Sequence, residues 1–169
     1  MGGLVISGGR VVDPASGMDA IGDVAVVDGK IAAVGTGLGG AERQIDATGL
    51  VVAPGFIDLH AHGQTIPADR MQAFDGVTTS LDLEAGVLPV ASWYKRQAEK
   101  GRVLNYGAAT NWAFARIGAM TGSNSESSLE SFGAAMRDRR WIENVATDGE
   151  VAGILERLAN RSEERRVGK

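Results

Sequence analysis

The chain of 169 residues has no cysteine, only two histidines and no apolar run of the length that a membrane-spanning helix requires. Without cysteine, neither a disulfide framework nor a thiolate metal site can form. The start of the chain lacks the basic residues of a secretory signal, so we expect a soluble, cytoplasmic protein with no membrane partner. The net charge of −4 and the isoelectric point near 5.2 argue against binding to nucleic acid.

Both histidines stand in one short segment, PGFIDLHAHG, at residues 54–63. One residue separates His60 from His62, and on an extended backbone such side chains point to the same side, as does that of Asp58. The segment also has three apolar residues that predict a buried strand: Phe56, Ile57 and Leu59. Two imidazoles beside a carboxylate at the end of a strand form half of a metal site. The alternative interpretation is a polar face on an exposed strand.

A second predicted strand that carries candidate ligands follows in GVTTSLDLEAG, residues 76–86. Asp82 and Glu84 alternate in the same way as the histidines and share one side of this strand. If the strand lies parallel to the first, its carboxyl end reaches the same rim, and Glu84 becomes a candidate metal ligand. Asp82 is the reserve ligand, or a partner that orients a histidine N–H. The alternative for Glu84 is a solvated residue at a strand end.

The segment VVAPGFIDLHAHG, residues 51–63, resembles the first barrel strand of the amidohydrolase superfamily, which includes dihydroorotases, hydantoinases and D-aminoacylases. The segment GVTTSLDLE is similar to the second barrel strand of the D-aminoacylase and N-acyl-D-glutamate deacylase branch. The resemblance implies that His60 and His62 bind a divalent metal, usually zinc. It also implies that Glu84 occupies the place of a cysteine that contacts the metal in many members of that branch.

The pattern of elements predicts an α/β protein with three regions. Residues 1–53 read as short antiparallel strands of a small sandwich-type sheet, with turns at Gly8-Gly9 and at Asp28-Gly29. Residues 54–160 resemble about the first three βα units of a TIM (β/α)8 barrel, which in full needs about 250 residues. Residues 161–169 are almost wholly charged and cannot form a buried strand, so we expect either a solvated tail on a helix end or a tail outside the native frame.

Local sequence signals predict several helices and argue against a dinucleotide-binding site. Helices are predicted at residues 66–74 and 88–101, and Thr147 with Glu150 forms a capping box for a further helix. Residues 121–130 are small and polar and predict a loop. The glycines of residues 35–40 fit the dinucleotide fingerprint G-x-G-x-x-G, but too little chain follows for the required helix, so we expect a loop.

The resemblance implies the N-terminal portion of a metal-dependent hydrolase of non-peptide C–N bonds in small-molecule amides, of the N-acyl-D-amino-acid deacylase type. In complete enzymes the metal lowers the pKa of a bound water, and an aspartate of the last barrel strand takes its proton. That aspartate and the further histidine ligands are absent here, so we expect no turnover by the chain alone. The alternatives are a cyclic-amide hydrolase of the dihydroorotase or hydantoinase type and a non-catalytic α/β fragment. The open sheet edges predict self-association.

Overall fold

The computed structural model describes residues 3–123, 126 and 129–162. The chain divides into two compact units, residues 1–54 and 55–169. Among the described residues, no helix has both the length and the apolar character needed to cross a membrane. Most of the predicted charged tail, residues 163–169, lies outside the described residues.

The first unit is a five-stranded sheet built around its first strand. Its strands are β1 (Gly3–Asp13), β2 (Met18–Val27), β3 (Lys30–Gly35), β4 (Arg43–Asp46) and β5 (Val51–Val52). Their order is β3-β2-β1-β4, and β5 also pairs with β1. β2 is antiparallel to both β1 and β3, as predicted, whereas β4 and β5 run parallel to β1. The expectation of a purely antiparallel sheet was therefore wrong, because the chain after β3 returns to the far side of β1.

The two predicted turns of this unit have different outcomes. Asp28 and Gly29 have φ angles of 50° and 72° and join β2 to β3, which confirms the hairpin. Gly8 and Gly9 do not form a turn, because β1 passes through them with a bulge in its pairing to β2. A Cβ atom on Gly9 would lie 2.6 Å from Cγ2 of Val52, so this position has no room for a side chain. Residues 36–42 form a loop without a helix, as predicted.

The second unit alternates strands and helices. Its strands are β6 (Phe56–Asp58), β7 (Val77–Val87) and β8 (Asn105–Thr110), and they form one parallel sheet in the order β6-β7-β8. Its helices are α1 (Ile66–Phe74), α2 (Val90–Lys100), α3 (Trp112–Thr121), α4 (Leu129–Ala135), α5 (Arg140–Glu143) and α6 (Asp148–Ser162). Parallel strands joined through helices are the βα units that the sequence predicted. The first two residues of the predicted tail thus belong to α6.

Side chains at the helix starts explain where these helices begin. The Oγ1 atom of Thr65 accepts a hydrogen bond from the N–H of Ala68 at the start of α1. At α6, Glu150 accepts from the N–H of Thr147 at 2.8 Å, and Oγ1 of Thr147 accepts from the N–H of Glu150 at 3.3 Å. The predicted capping box is therefore confirmed.

The core of the second unit lies on the helices that follow β7 and β8. Buried apolar side chains fall in two clusters: Val87, Val90, Trp93 and Tyr106, and Leu88, Phe114, Ala115, Ile117 and Ala135. Trp93 packs edge-on against Tyr106, as expected for a structural rather than a ligand-binding aromatic residue. On α6, Ile154 and Leu158 pack on the second cluster, whereas Val151 and Leu155 are exposed.

The first barrel strand is not buried, contrary to the expectation from its apolar residues. Phe56, Ile57 and Leu59 are 66%, 61% and 56% exposed, and on α1 Met71 and Phe74 are also exposed. β6 is an edge strand, and among the described residues it pairs only with β7. Its apolar side chains therefore lack a covering layer within the part of the chain that the structure describes.

Candidate metal centre

Two parallel strands bring the three predicted ligands to one edge of the sheet. The backbone of His60 forms an isolated bridge with Asp82, and the N–H of Ala61 donates to the carbonyl of Leu81 at 2.9 Å. These contacts fix the histidine segment beside β7, two residues before Glu84. The juxtaposition follows from the parallel pairing of β6 and β7, which sets their carboxyl ends side by side.

The donor atoms of His60, His62 and Glu84 form a compact triangle. The two Nε2 atoms lie 2.9 Å apart, close enough for one ring to donate a hydrogen bond to the other. Oε2 of Glu84 lies 3.8 Å from Nε2 of His60 and 3.4 Å from Nε2 of His62. The two rings meet edge to face, so both point to the same side, as the alternation predicted. All three side chains are more than half exposed, so the triangle is open to solvent.

This donor set fits a divalent metal of borderline softness. Zinc binds imidazole nitrogen and carboxylate oxygen at about 2.0–2.2 Å, so tetrahedral donors lie about 3.3 Å from one another. The three observed separations, 2.9, 3.4 and 3.8 Å, lie on both sides of this value. Only small side-chain movements would therefore be needed to hold one ion.

Asp58 lies next to this triangle but is not part of it. Its Oδ1 atom accepts a hydrogen bond from the N–H of His60 at 3.0 Å, and its Oδ2 atom accepts from Nε2 of Gln72 on α1 at 3.0 Å. The carboxylate thus ties the backbone of the first histidine to the helix that follows. The alternation of side chains could not predict the hydrogen bond between Asp58 and Gln72, because the two residues are 14 positions apart.

Glu84 projects from a large bulge in β7. The pairing with β8 passes from Asp82 opposite Ala108 to Val87 opposite Thr110. The four residues 83–86 therefore stand opposite Ala109 alone, and the extra chain length turns Leu83, Glu84 and Ala85 out to solvent. Simple strand alternation does not extend through this bulge, so it could not have located Glu84 by itself.

Asp82, the reserve ligand, is held apart from the triangle. It is buried, and its Oδ1 atom accepts hydrogen bonds from the N–H groups of Ala85 at 3.1 Å and Gly86 at 2.9 Å. The structure therefore brings Glu84, and not Asp82, together with the two histidines. The two N–H groups belong to residues three and four positions after Asp82, so this side chain closes the bulge from within.

Two further polar residues near β8 have structural partners. Oδ1 of Asn111 accepts from the N–H of Phe114 and caps α3, so this side chain satisfies a backbone group. Arg116 donates to the carbonyls of Trp141 and Asn144 at 2.7 and 2.9 Å. Both side chains fix the helical part of this unit.

Comparison with known proteins identifies the family to which the chain belongs. The model of the amidohydrolase family matches residues 43–165. Because this match covers more than half of the chain, the chain belongs to the amidohydrolase family. The predicted membership is confirmed.

Sequence relatives within this family include dihydroorotases. The dihydroorotase of Solibacter usitatus is 35% identical in an alignment 146 residues long that covers 78% of this chain and 32% of that protein. The dihydroorotase of Streptococcus pneumoniae is 44% identical in an alignment 99 residues long that covers 53% of this chain and 23% of that protein. The chain thus spans about a third or less of the length of these relatives.

Solved structures show the same fold. The N-acyl-D-glutamate deacylase of Bordetella bronchiseptica, solved with zinc and a phosphonate inhibitor, matches 94% of this chain and 43% of its own, with a TM-score of 0.64 and 24% identity. The α/β prediction of a small N-terminal sheet followed by part of a TIM barrel is confirmed.

Proposed function

We propose that this chain supplies the first metal ligands of an amidohydrolase that hydrolyses C–N bonds in small-molecule amides, with N-acyl-D-amino acids as the substrate class. One observation supports this most strongly. In a chain of the amidohydrolase family, His60, His62 and Glu84 meet at the carboxyl edge of the parallel sheet, where barrel enzymes carry their active sites.

Zinc is the metal that we propose. Two imidazole nitrogens and one carboxylate oxygen are common zinc ligands, and the absence of cysteine from the sequence excludes thiolate. The deacylase of similar fold was solved with zinc. When bound, the metal would supply a Lewis acid that makes water a usable nucleophile near neutral pH and polarises an amide carbonyl.

The chain's own residues would hold and orient this centre. His60 and His62 would bind through Nε2, and the hydrogen bond from the His60 N–H to Asp58 fixes the backbone of that ligand. Glu84 would complete the set with Oε2. Because the three side chains are exposed at the rim, a small amide could approach them directly from solvent.

A cyclic-amide hydrolase is the second candidate, and sequence identity favours it. The Solibacter dihydroorotase is 35% identical over most of this chain, whereas the deacylase is 24% identical but matches 94% of the chain by fold. We favour the deacylase class because its fold is more similar over nearly the whole chain, with a TM-score of 0.64 against 0.55 for a D-hydantoinase that covers 95% of this chain.

Because the chain spans less than half of the length of these relatives, we assign turnover to a complete barrel and expect none from residues 1–169 alone. We propose residues 1–53 as the N-terminal sheet region and residues 54–160 as the partial barrel. Within the part of the chain that the structure describes, β6 and β8 are the edge strands of their sheet. Their unpaired edges would support self-association. The cytoplasmic location stays a prediction.

The metal site can be tested by zinc content after equilibrium dialysis of the 169-residue chain. We expect about one zinc per wild-type chain and almost none for the double variant His60→Ala, His62→Ala. Asp19→Ala, an exposed carboxylate in the first unit, serves as the control and should keep the wild-type content. Equal zinc in the wild type and the double variant would leave only the non-catalytic interpretation.

The substrate class needs a complete barrel that carries this segment. Loaded with zinc, such a protein should release free D-amino acid from N-acetyl-D-amino acids faster than it opens dihydroorotate. The opposite preference would favour the cyclic-amide class.

A further inference from the structure

We infer that Asp82 is a positioning residue that sets the separation between the carboxylate of Glu84 and the two imidazoles. This inference rests on the proposed function, because it treats Glu84 as a ligand of the same metal as the histidines. The site has a histidine half, the segment of His60 and His62, and a glutamate half, the bulge that carries Glu84. The backbone of Asp82 contacts the histidine half, and its side chain contacts the glutamate half.

The backbone of Asp82 fixes the histidine half. It bridges to His60, and the neighbouring Leu81 carbonyl accepts from the N–H of Ala61 between the two histidines. On its other side Asp82 pairs with Ala108 of β8. Asp82 is therefore the last point at which β7 is held from both sides before the bulge begins.

The side chain of Asp82 fixes the glutamate half. Its Oδ1 atom accepts from the N–H groups of Ala85 and Gly86, the two residues that follow Glu84. Gly86 has φ of +67°, and a Cβ atom there would lie 2.5 Å from the carbonyl oxygen of Ala109. The bulge thus closes tightly on β8, with Glu84 at its exposed end.

The chemistry of the side chain explains why an acceptor is needed here. Two backbone N–H groups converge on one buried oxygen, and without it they would lose their partner in a closed turn. Asparagine keeps this oxygen, whereas alanine removes it. A residue that acts only through this oxygen should therefore tolerate asparagine, but a residue that binds the metal directly should not.

The test is a double-mutant cycle on cobalt affinity, measured by titrating the visible absorption of Co²⁺ bound to the 169-residue chain. Asp82→Ala should weaken binding about tenfold, the size of effect seen when residues that orient metal ligands are lost. In a Glu84→Ala background, the same substitution should have almost no further effect. Asp82→Asn should keep the affinity within about twofold of the wild type.

Asp23→Ala is the matched control. Asp23 is a buried carboxylate of the first unit that also accepts from two backbone N–H groups, those of Gly8 at 2.9 Å and Leu38 at 3.0 Å. This variant should leave cobalt affinity unchanged. A tenfold loss that persists in the Glu84→Ala background, or a failure of asparagine to restore affinity, would overturn the positioning role.

A metal-free measurement separates this inference from the proposed function. The amide hydrogens of Ala85 and Gly86 should exchange with solvent about tenfold faster in Asp82→Ala than in the wild type, with no change in Asp82→Asn. Unchanged exchange would overturn the inference even if zinc binds. Conversely, faster exchange in Asp82→Ala, together with no cobalt binding by the wild type, would keep the contact between Asp82 and the bulge and reject the metal site.

Discussion

Replacing Asp69 by alanine would leave the guanidinium group of Arg102 buried without a counter-ion. Nε and Nη2 of Arg102 donate to the two carboxylate oxygens of Asp69, both at 2.5 Å, and Nη1 donates to Gln97 at 3.3 Å. The two side chains are 0% and 1% exposed. This pair joins α1 to the segment before β8, so it connects the first and third βα units.

The expected loss of stability is large because the remaining charge cannot reach water. Breaking a buried ion pair by removing one partner costs about 3–5 kcal/mol. With an m-value of about 2 kcal/mol per molar urea, the midpoint of unfolding should fall by roughly 2 M. Replacing both residues, as Asp69→Leu with Arg102→Met, should recover most of this loss because no unpaired charge remains.

Urea unfolding followed by far-UV circular dichroism checks these expectations. The surface pair of Arg10 and Asp19 is a matched control, since it has the same two-bond geometry at 2.6 Å with both side chains about half exposed. Asp19→Ala should hardly move the midpoint. Equal shifts for Asp69→Ala and Asp19→Ala, or a double variant no more stable than Asp69→Ala, would refute the reasoning.

Two further predictions concern the helix cap and the acid sensitivity of the first unit. Thr147→Ala should destabilise the protein by about 1 kcal/mol and Thr147→Ser much less, because serine keeps the capping oxygen; equal urea midpoints for the two variants would contradict the capping box. Hydrogen bonds from the N–H groups of Gly8 and Leu38 hold the pKa of Asp23 below its usual range. Its carboxylate therefore stabilises the fold fully at pH values above the pKa of the unfolded state, about 3.9. This contribution is lost as pH falls through the lower pKa of the folded state. The stability difference between the wild type and Asp23→Asn should consequently shrink on acidification below about pH 4, and a difference independent of pH would argue against it.

Features set by neighbouring residues were predictable from the sequence. The Asp28-Gly29 hairpin, the cap at Thr147 and the shared side of the histidines each depend on a few consecutive residues. The approach of Glu84 to the histidines followed from the expected parallel pairing, since parallel strands end at one edge.

Features set by distant partners were not predictable in this way. The parallel return of β4 beside β1 joins residues about 40 positions apart, and the pair of Asp69 and Arg102 joins residues 33 apart. The exposure of Phe56 and Ile57 depends on which strands cover β6, and a local apolar pattern cannot supply that information. The bulge at residues 83–86 depends on the register against β8, which the sequence of β7 alone does not encode.

X-ray absorption at the zinc edge, recorded on the chain loaded with one equivalent of zinc, tests the proposed centre most directly. We predict two imidazole ligands and oxygen donors at about 2.0–2.2 Å, with one imidazole lost in His62→Ala. A spectrum without imidazole scattering, or one that His62→Ala leaves unchanged, would contradict the centre built from His60, His62 and Glu84.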